Sequence, residues 1–147
     1  MGRSLAHVMQ HAPGIEPALE EAQWVVPMPL SSARLRERGF NQALVLARHL
    51  GPRKTLGQAL LRIRDTAPQA SLPKAQRLQN VVGTMVVHPR HGKALKGCHV
   101  VLLDDVMTTG SSLHAAALAL RQVGVQHITA MVFARTDAPR VEVPVAP

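Results

Sequence analysis

This chain has no tyrosine, one tryptophan, two phenylalanines and one cysteine. Each shortage excludes something. A lone Cys98 cannot build a zinc ribbon or a disulfide framework within these residues. Its place after Lys96-Gly97 and ahead of an apolar run suits a structural thiol at a strand entry. With Trp24, Phe40 and Phe133 as the only aromatics, the interleaved stacking platforms of a dedicated single-strand reader are missing. Long apolar runs are absent too, and no charged segment precedes an apolar one. The expectation is a soluble, cytoplasmic protein with no membrane span and no signal peptide. Eight histidines show neither an HExxH pattern nor paired ligand spacing, which argues against a histidine metal site. His88 and His91 flank Pro89-Arg90 in what reads as a solvated turn. Ser111 lacks the Gly-x-Ser-x-Gly elbow of a serine nucleophile. Met28, Met85, Met107 and Met131 read as packing residues.

What the chain does have is charge of one sign, unevenly spread. Its formal net charge is +8, and 13 of the 17 Lys and Arg lie between Arg34 and Lys96, against two of the nine acids. A basic middle calls for an anionic partner: a polyphosphate, a nucleic acid, or both. The 147 residues make about one domain, divided into an N-terminal helical segment (1–23), a core (24–136) and a loose, proline-containing tail (137–147).

Hydrophobic periodicity orders the core. Pro17 and the residues after it suit a helix start. Trp24-Val25-Val26, closed by Pro27-Met28-Pro29, reads as a buried strand running into a rigid loop. Leu30 to Gly39 reads as a basic loop, and Asn41 to Leu50 as a helix with one apolar face. Leu56 to Ile63 suits a short helix or a strand. Arg64 to Asn80, polar and holding Pro68 and Pro73, reads as a mobile loop. Val81 to Val87 is a strand candidate, and Pro89 to Gly97 a turn. His99 to Leu103 has the apolar continuity of a parallel strand covered on both faces. Ser111 to Val123 is a helix, and His127 to Phe133 a strand. Strands alternating with helices give an α/β class with a mainly parallel sheet flanked by helices.

The informative segment is Val100-Val101-Leu102-Leu103-Asp104-Asp105-Val106-Met107-Thr108-Thr109-Gly110-Ser111-Ser112. A buried strand delivers two adjacent carboxylates, then a hydroxyl-rich turn with one glycine, then a helix. Free N–H groups and the positive end of the helix dipole make such a turn an anion site, and strand C-terminal ends are where α/β sheets bind ligands. Carboxylates beside a phosphate cradle suit sugar hydroxyls or a hydrated metal.

This stretch resembles the signature of type I phosphoribosyltransferases, which bind 5-phosphoribosyl 1-pyrophosphate (PRPP) with Mg²⁺. Val26-Pro27-Met28-Pro29-Leu30, then Arg34 through Arg38-Gly39-Phe40-Asn41-Gln42, and the stretch from Leu60 through Asn80 resemble the competence protein F (ComF) family. The resemblance spans roughly residues 24 to 136. It implies that Asp104 and Asp105 engage the ribose hydroxyls, with Mg²⁺ held indirectly, as the catalytic pair. It implies that Thr108, Thr109, Gly110, Ser111 and Ser112 wrap the 5′-phosphate. Pro29, Leu30, Arg34, Arg38 and Asn41 are expected on the pyrophosphate side, with Arg64, Gln69, Lys74 and Arg77 on a loop that closes over the site. Purine salvage members that prefer hypoxanthine and guanine usually carry Asp where Thr108 stands, which argues against that substrate.

Two functions follow as expectations. One is an enzyme passing phosphoribosyl from PRPP to a nucleobase or related amine. The other is a non-catalytic accessory of DNA uptake that contacts single-stranded DNA or uptake proteins, with PRPP as a sensed or vestigial ligand. A homodimer is compatible with either.

Overall fold

The computed structural model describes residues 14–30, 32–63, 84–107 and 110–135. The N-terminal 13 residues, the tail from Asp137 and the Arg64 to Asn80 segment lie outside the described residues.

The apolar run at Val100 forms the centre of the molecule. Strand β4 (His99–Met107) pairs in parallel with β1 (Trp24–Pro27) on one side and with β5 (His127–Arg135) on the other. Side chains of a strand alternate between faces, and both faces are buried here. Val26, Val100, Leu102, Ile128 and Ala130 pack on one side against Leu113, Ala116 and Leu120 of helix α5 (Ser111–Gln122). Val25, Val101, Leu103 and Met131 pack on the other against Ile15 of helix α1 (Ile15–Glu21) and Leu46, Ala47 and Leu50 of helix α3 (Gln42–Leu50). A strand buried on both faces needs an unbroken apolar run, which explains why no polar residue interrupts Val100 to Leu103. The parallel, helix-flanked α/β sheet is therefore as expected.

Beside it, β2 (Leu60–Arg62) and β3 (Met85–Val87) form an antiparallel pair. This places a strand at Leu60–Arg62 within the Leu56 to Ile63 stretch and confines the Val81 to Val87 candidate to its last three residues among those described. Met28, Met85 and Met131 are all core residues. Lys54 closes helix α1: its ammonium donates to the carbonyls of Leu19 at 2.8 Å and Ala22 at 2.9 Å, the orphan acceptors of a helix end.

Four expectations need correction. Leu30 to Gly39 is not a loop throughout, because Ser32–Arg38 forms helix α2. Its residues are good helix formers with no proline or glycine among them, and Gly39, at φ +80, ends the helix by donating its N–H to Leu35 O at 2.7 Å. Charge alone had suggested a loop. Pro89 to Gly97 is not a plain turn: a 3-10 turn (Pro89–His91) leads into one turn of helix α4 (Gly92–Leu95), whose Leu95 is fully buried. His88 in that turn is half-buried, and its Nδ1 accepts from Arg90 N at 3.0 Å. Helix α1 starts at Ile15 after Gly14, so Pro17 lies inside its first turn, where its missing N–H costs nothing. Strand β4 runs past Leu103 to Met107 because β5 continues the ladder as far as Arg135.

Candidate functional site

The unequal lengths of β1 and β5 create the site. The last β1 residue, Pro27, pairs with Leu103, and Met28 N–H donates to Leu103 O at 2.8 Å. Proline locks the chain and cannot continue a ladder, so β1 leaves the sheet one step before Asp104. Strand β5 stays, pairing Val132 with Asp104. The two carboxylates thus sit inside the strand, at the point where one neighbour has turned away.

The chain leaving β1 is tied in place by Asn41. Its Nδ2 donates to Met28 O at 3.0 Å, while its Oδ1 accepts from the N–H groups of Ala43 at 3.0 Å and Leu44 at 3.4 Å. The same side chain caps helix α3 and fixes the Met28-Pro29-Leu30 turn. Arg62, on β2, donates through Nη2 to Pro29 O at 3.2 Å. Arg38, at the end of α2, places Nη1 3.3 Å from Asp105 Oδ2. Two guanidiniums and two carboxylates therefore lie around the end of β1 and the part of β4 just beyond it.

The carboxylates differ. Asp105 N–H donates to Asp104 Oδ1 at 2.9 Å. Burial, then the adjoining Asp105 carboxyl, pushes Asp104 up to about 7, opposed by the Asp105 N–H and the Arg62 charge. Asp104 is thus poised to hold a proton near neutral pH.

On the far side, Gly110 takes φ +80 directly before helix α5 and has no side-chain cap. Only glycine adopts that backbone freely. Ser111 is the first residue of the helix and Ser112 is half-buried.

The site brings together Pro29, Leu30, Arg38, Asn41, Asp104 and Asp105, with Gly110, Ser111 and Ser112 following on α5. Arg34 lies on helix α2. Thr108 and Thr109, and the loop residues Arg64, Gln69, Lys74 and Arg77, lie outside the described residues. Arg62 was legible only as one more basic residue near that loop; the structure places it at the end of β2. Gln42, the first residue of α3, was legible only as the last residue of the Arg38 to Gln42 block. It is buried, and its Nε2 has no hydrogen-bond partner among the described residues.

From residue 37 to residue 144 the sequence matches the phosphoribosyl transferase domain. The chain belongs to that family. The described fold agrees: the allosteric regulatory enzyme of purine biosynthesis superimposes with a TM-score of 0.55 at 19% identity, over 90% of this chain and 25% of that one. At that identity the likeness shows the type I phosphoribosyltransferase fold alone. Within the family, the chain is 36% identical to competence protein ComFC of Bacillus subtilis over 100 residues, 68% of this chain and 39% of the relative. This bears out the resemblance to ComF. It is also 36% identical to the adenine phosphoribosyltransferase of Rhodospirillum rubrum over 104 residues, 70% of this chain and 57% of the relative. The chain spans about half the length of the curated relatives it matches. Among the described residues no helix is long and apolar enough to cross a membrane.

Asp104 and Asp105 are hard oxygen donors of the kind Mg²⁺ accepts. Among the described residues, however, no group of three His, Cys, Asp or Glu side chains can hold an ion unaided. Mg²⁺ usually keeps its waters and binds through one or two carboxylates plus substrate oxygens, so the pair fits it only in company with a ligand.

Proposed function

We propose that this phosphoribosyltransferase-family protein binds PRPP where β1 parts from β4 and transfers its phosphoribosyl group to a nitrogen acceptor, a nucleobase or related amine. The observation that carries the reading is the meeting of Asp104 and Asp105 with Arg38 and Arg62 on the strand that precedes α5. Each half of PRPP finds its chemistry there. Carboxylates accept from ribose hydroxyls, guanidiniums bind pyrophosphate oxygens in charge-assisted pairs, and the uncapped helix start offers N–H groups to the 5′-phosphate.

In the transfer, the C1′–O bond to pyrophosphate breaks and that oxygen keeps the electron pair. A C1′–N bond to the acceptor forms, and the acceptor nitrogen loses a proton. The protein's part is positioning and charge stabilisation. Asp104 and Asp105 hold the ribose, Arg38 meets the charge that grows on the leaving pyrophosphate, and Asn41 keeps the Met28-Pro29-Leu30 turn in place beneath it. Bound Mg²⁺ would neutralise part of the pyrophosphate charge. Pyrophosphate release that depends on PRPP and an added nucleobase tests this; no release with any base, despite PRPP binding, refutes the transferase reading.

The similarity to a competence protein favours a second reading, an accessory of DNA uptake that senses PRPP. It predicts binding of single-stranded DNA that weakens steeply with salt, in a protein that releases no pyrophosphate.

A further inference from the structure

We propose that Arg38 makes the two halves of the ligand bind together: it holds Asp105 in an ion pair that a ligand anion releases. The inference rests on the PRPP reading above and goes beyond it, because it assigns Arg38 a role in the empty site and a consequence for selectivity.

Three observations carry it. Arg38 Nη1 lies 3.3 Å from Asp105 Oδ2, so on the PRPP reading the guanidinium holds the carboxylate oxygen that a sugar hydroxyl would use. The partners are unequally fixed. Asp105 belongs to the central strand and is 18% exposed, whereas the Arg38 side chain is 43% exposed on a flexible stem at the last position of α2. Finally, Arg38 is the last residue of α2, and Gly39 follows at φ +80 with nothing among the described residues within 4 Å of where a Cβ would lie.

An exposed ion pair of this kind is weak, and a polyphosphate is a better partner for a guanidinium than one carboxylate because it accepts two parallel bonds. A ligand carrying only the ribose diol has to displace Arg38 unaided. A ligand that also carries pyrophosphate takes the guanidinium itself, so the hydroxyls no longer compete with it for Asp105 Oδ2. Each half therefore strengthens the binding of the other, and by linkage the effect is reciprocal. The site prefers PRPP over ribose 5-phosphate and nucleoside monophosphates by more than the pyrophosphate contacts alone provide.

Titration calorimetry at fixed Mg²⁺ with ribose 5-phosphate, inorganic pyrophosphate and PRPP, on wild type and Arg38→Met, tests the proposal. Met retains most of the stem without the charge. Ribose 5-phosphate should bind Arg38→Met roughly two- to fivefold more tightly, the range of an exposed ion pair, while PRPP binds more weakly. Saturating pyrophosphate should tighten ribose 5-phosphate binding in wild type and have no effect in the variant. Arg38→Lys, which keeps the charge but not the fork, should fall between the two. Unchanged ribose 5-phosphate affinity in Arg38→Met, alongside weaker PRPP binding, overturns the proposal and leaves the PRPP reading intact. An equal loss for both ligands makes Arg38 a support of the fold and also overturns it. If wild type binds neither PRPP nor ribose 5-phosphate, the PRPP reading fails and the proposal with it.

Discussion

The backbone N–H of Asp105 donates to the Oδ1 of Asp104 at 2.9 Å, so adjacent residues of one strand carry carboxyls of different character. Asp104 turns into the protein and is pushed up to about 7 by burial and by its neighbour. Asp105 lies toward the basic residues and meets Arg38.

The first consequence concerns stability and pH. The Asp104 carboxyl moves from an ordinary 3.8 to about 7 on folding, so the native state holds the extra proton between those values. Stability then falls as pH rises through that window and levels off above it. At about 1.36 kcal/mol per pKa unit the effect reaches at most about 4 kcal/mol. Asp104→Asn should flatten the slope and raise the melting temperature above pH 7. Thermal unfolding from pH 4 to 9 checks this; parallel profiles for variant and wild type would contradict it.

His99 works in the opposite sense at the other end of the sheet. Burial, then the nearby His127, lowers its pKa from 6.5, with Glu21 opposing. Its Nε2 lies 2.8 Å from Thr129 Oγ1. The neutral ring is favoured on folding, so its contribution is present above 6.5 and is lost as pH falls through the lowered value. His127→Ala removes the like charge and should raise the His99 pKa, as followed by NMR titration of the ring; no movement would mean that burial alone is responsible.

Asn41 is expected to matter twice. Asn41→Ala removes the cap of α3 and the tie to Met28 O, and should cost about 1–2 kcal/mol in urea denaturation. Asn41→Asp keeps the cap acceptor but loses the donor to Met28. It should recover most of the stability and still bind PRPP less well than wild type. Equal PRPP affinity in Asn41→Asp and wild type would show that the tie does not position the turn.

The double change Asp104→Asn, Asp105→Asn retains shape and removes charge. A hydrogen bond to a charged group contributes roughly 1.5–3 kcal/mol, so PRPP affinity should fall about tenfold or more by calorimetry. Gly110→Val forces a β-branched residue to φ +80, a conformation such side chains avoid. It should weaken phosphate binding at the start of α5 while leaving the far end of the helix protected in hydrogen exchange.

The sheet was legible because its strands are buried on both faces and must therefore be written as apolar runs; Val100 to Leu103 could be little else. The carboxylate pair was legible for the converse reason, since charge at the end of such a run needs a partner. The basic stretch misled because a charged helix and a charged loop have the same composition, and only the absence of a breaker before Gly39 separated them. The tie from Asn41 to Met28, the reach of Arg38 to Asp105 and the burial of Gln42 depend on how α2 and α3 fold back on β1. No local pattern encodes that.

The register of Trp24 with Val100 has a consequence for how the protein is made. Every ladder of the central sheet is parallel, and β1 finds its partner only after the long stretch holding α2, α3, β2 and β3 has been synthesised. Pairing over such a separation is slow, because the loop must close before any contact rewards it. During translation the apolar Trp24-Val25-Val26 segment emerges well ahead of the strand that will cover it. Pro27 and Pro29 directly behind it limit how far a stray strand can pair with it in the interval. The prolines at which β1 leaves the sheet would thus also limit premature association of the nascent chain.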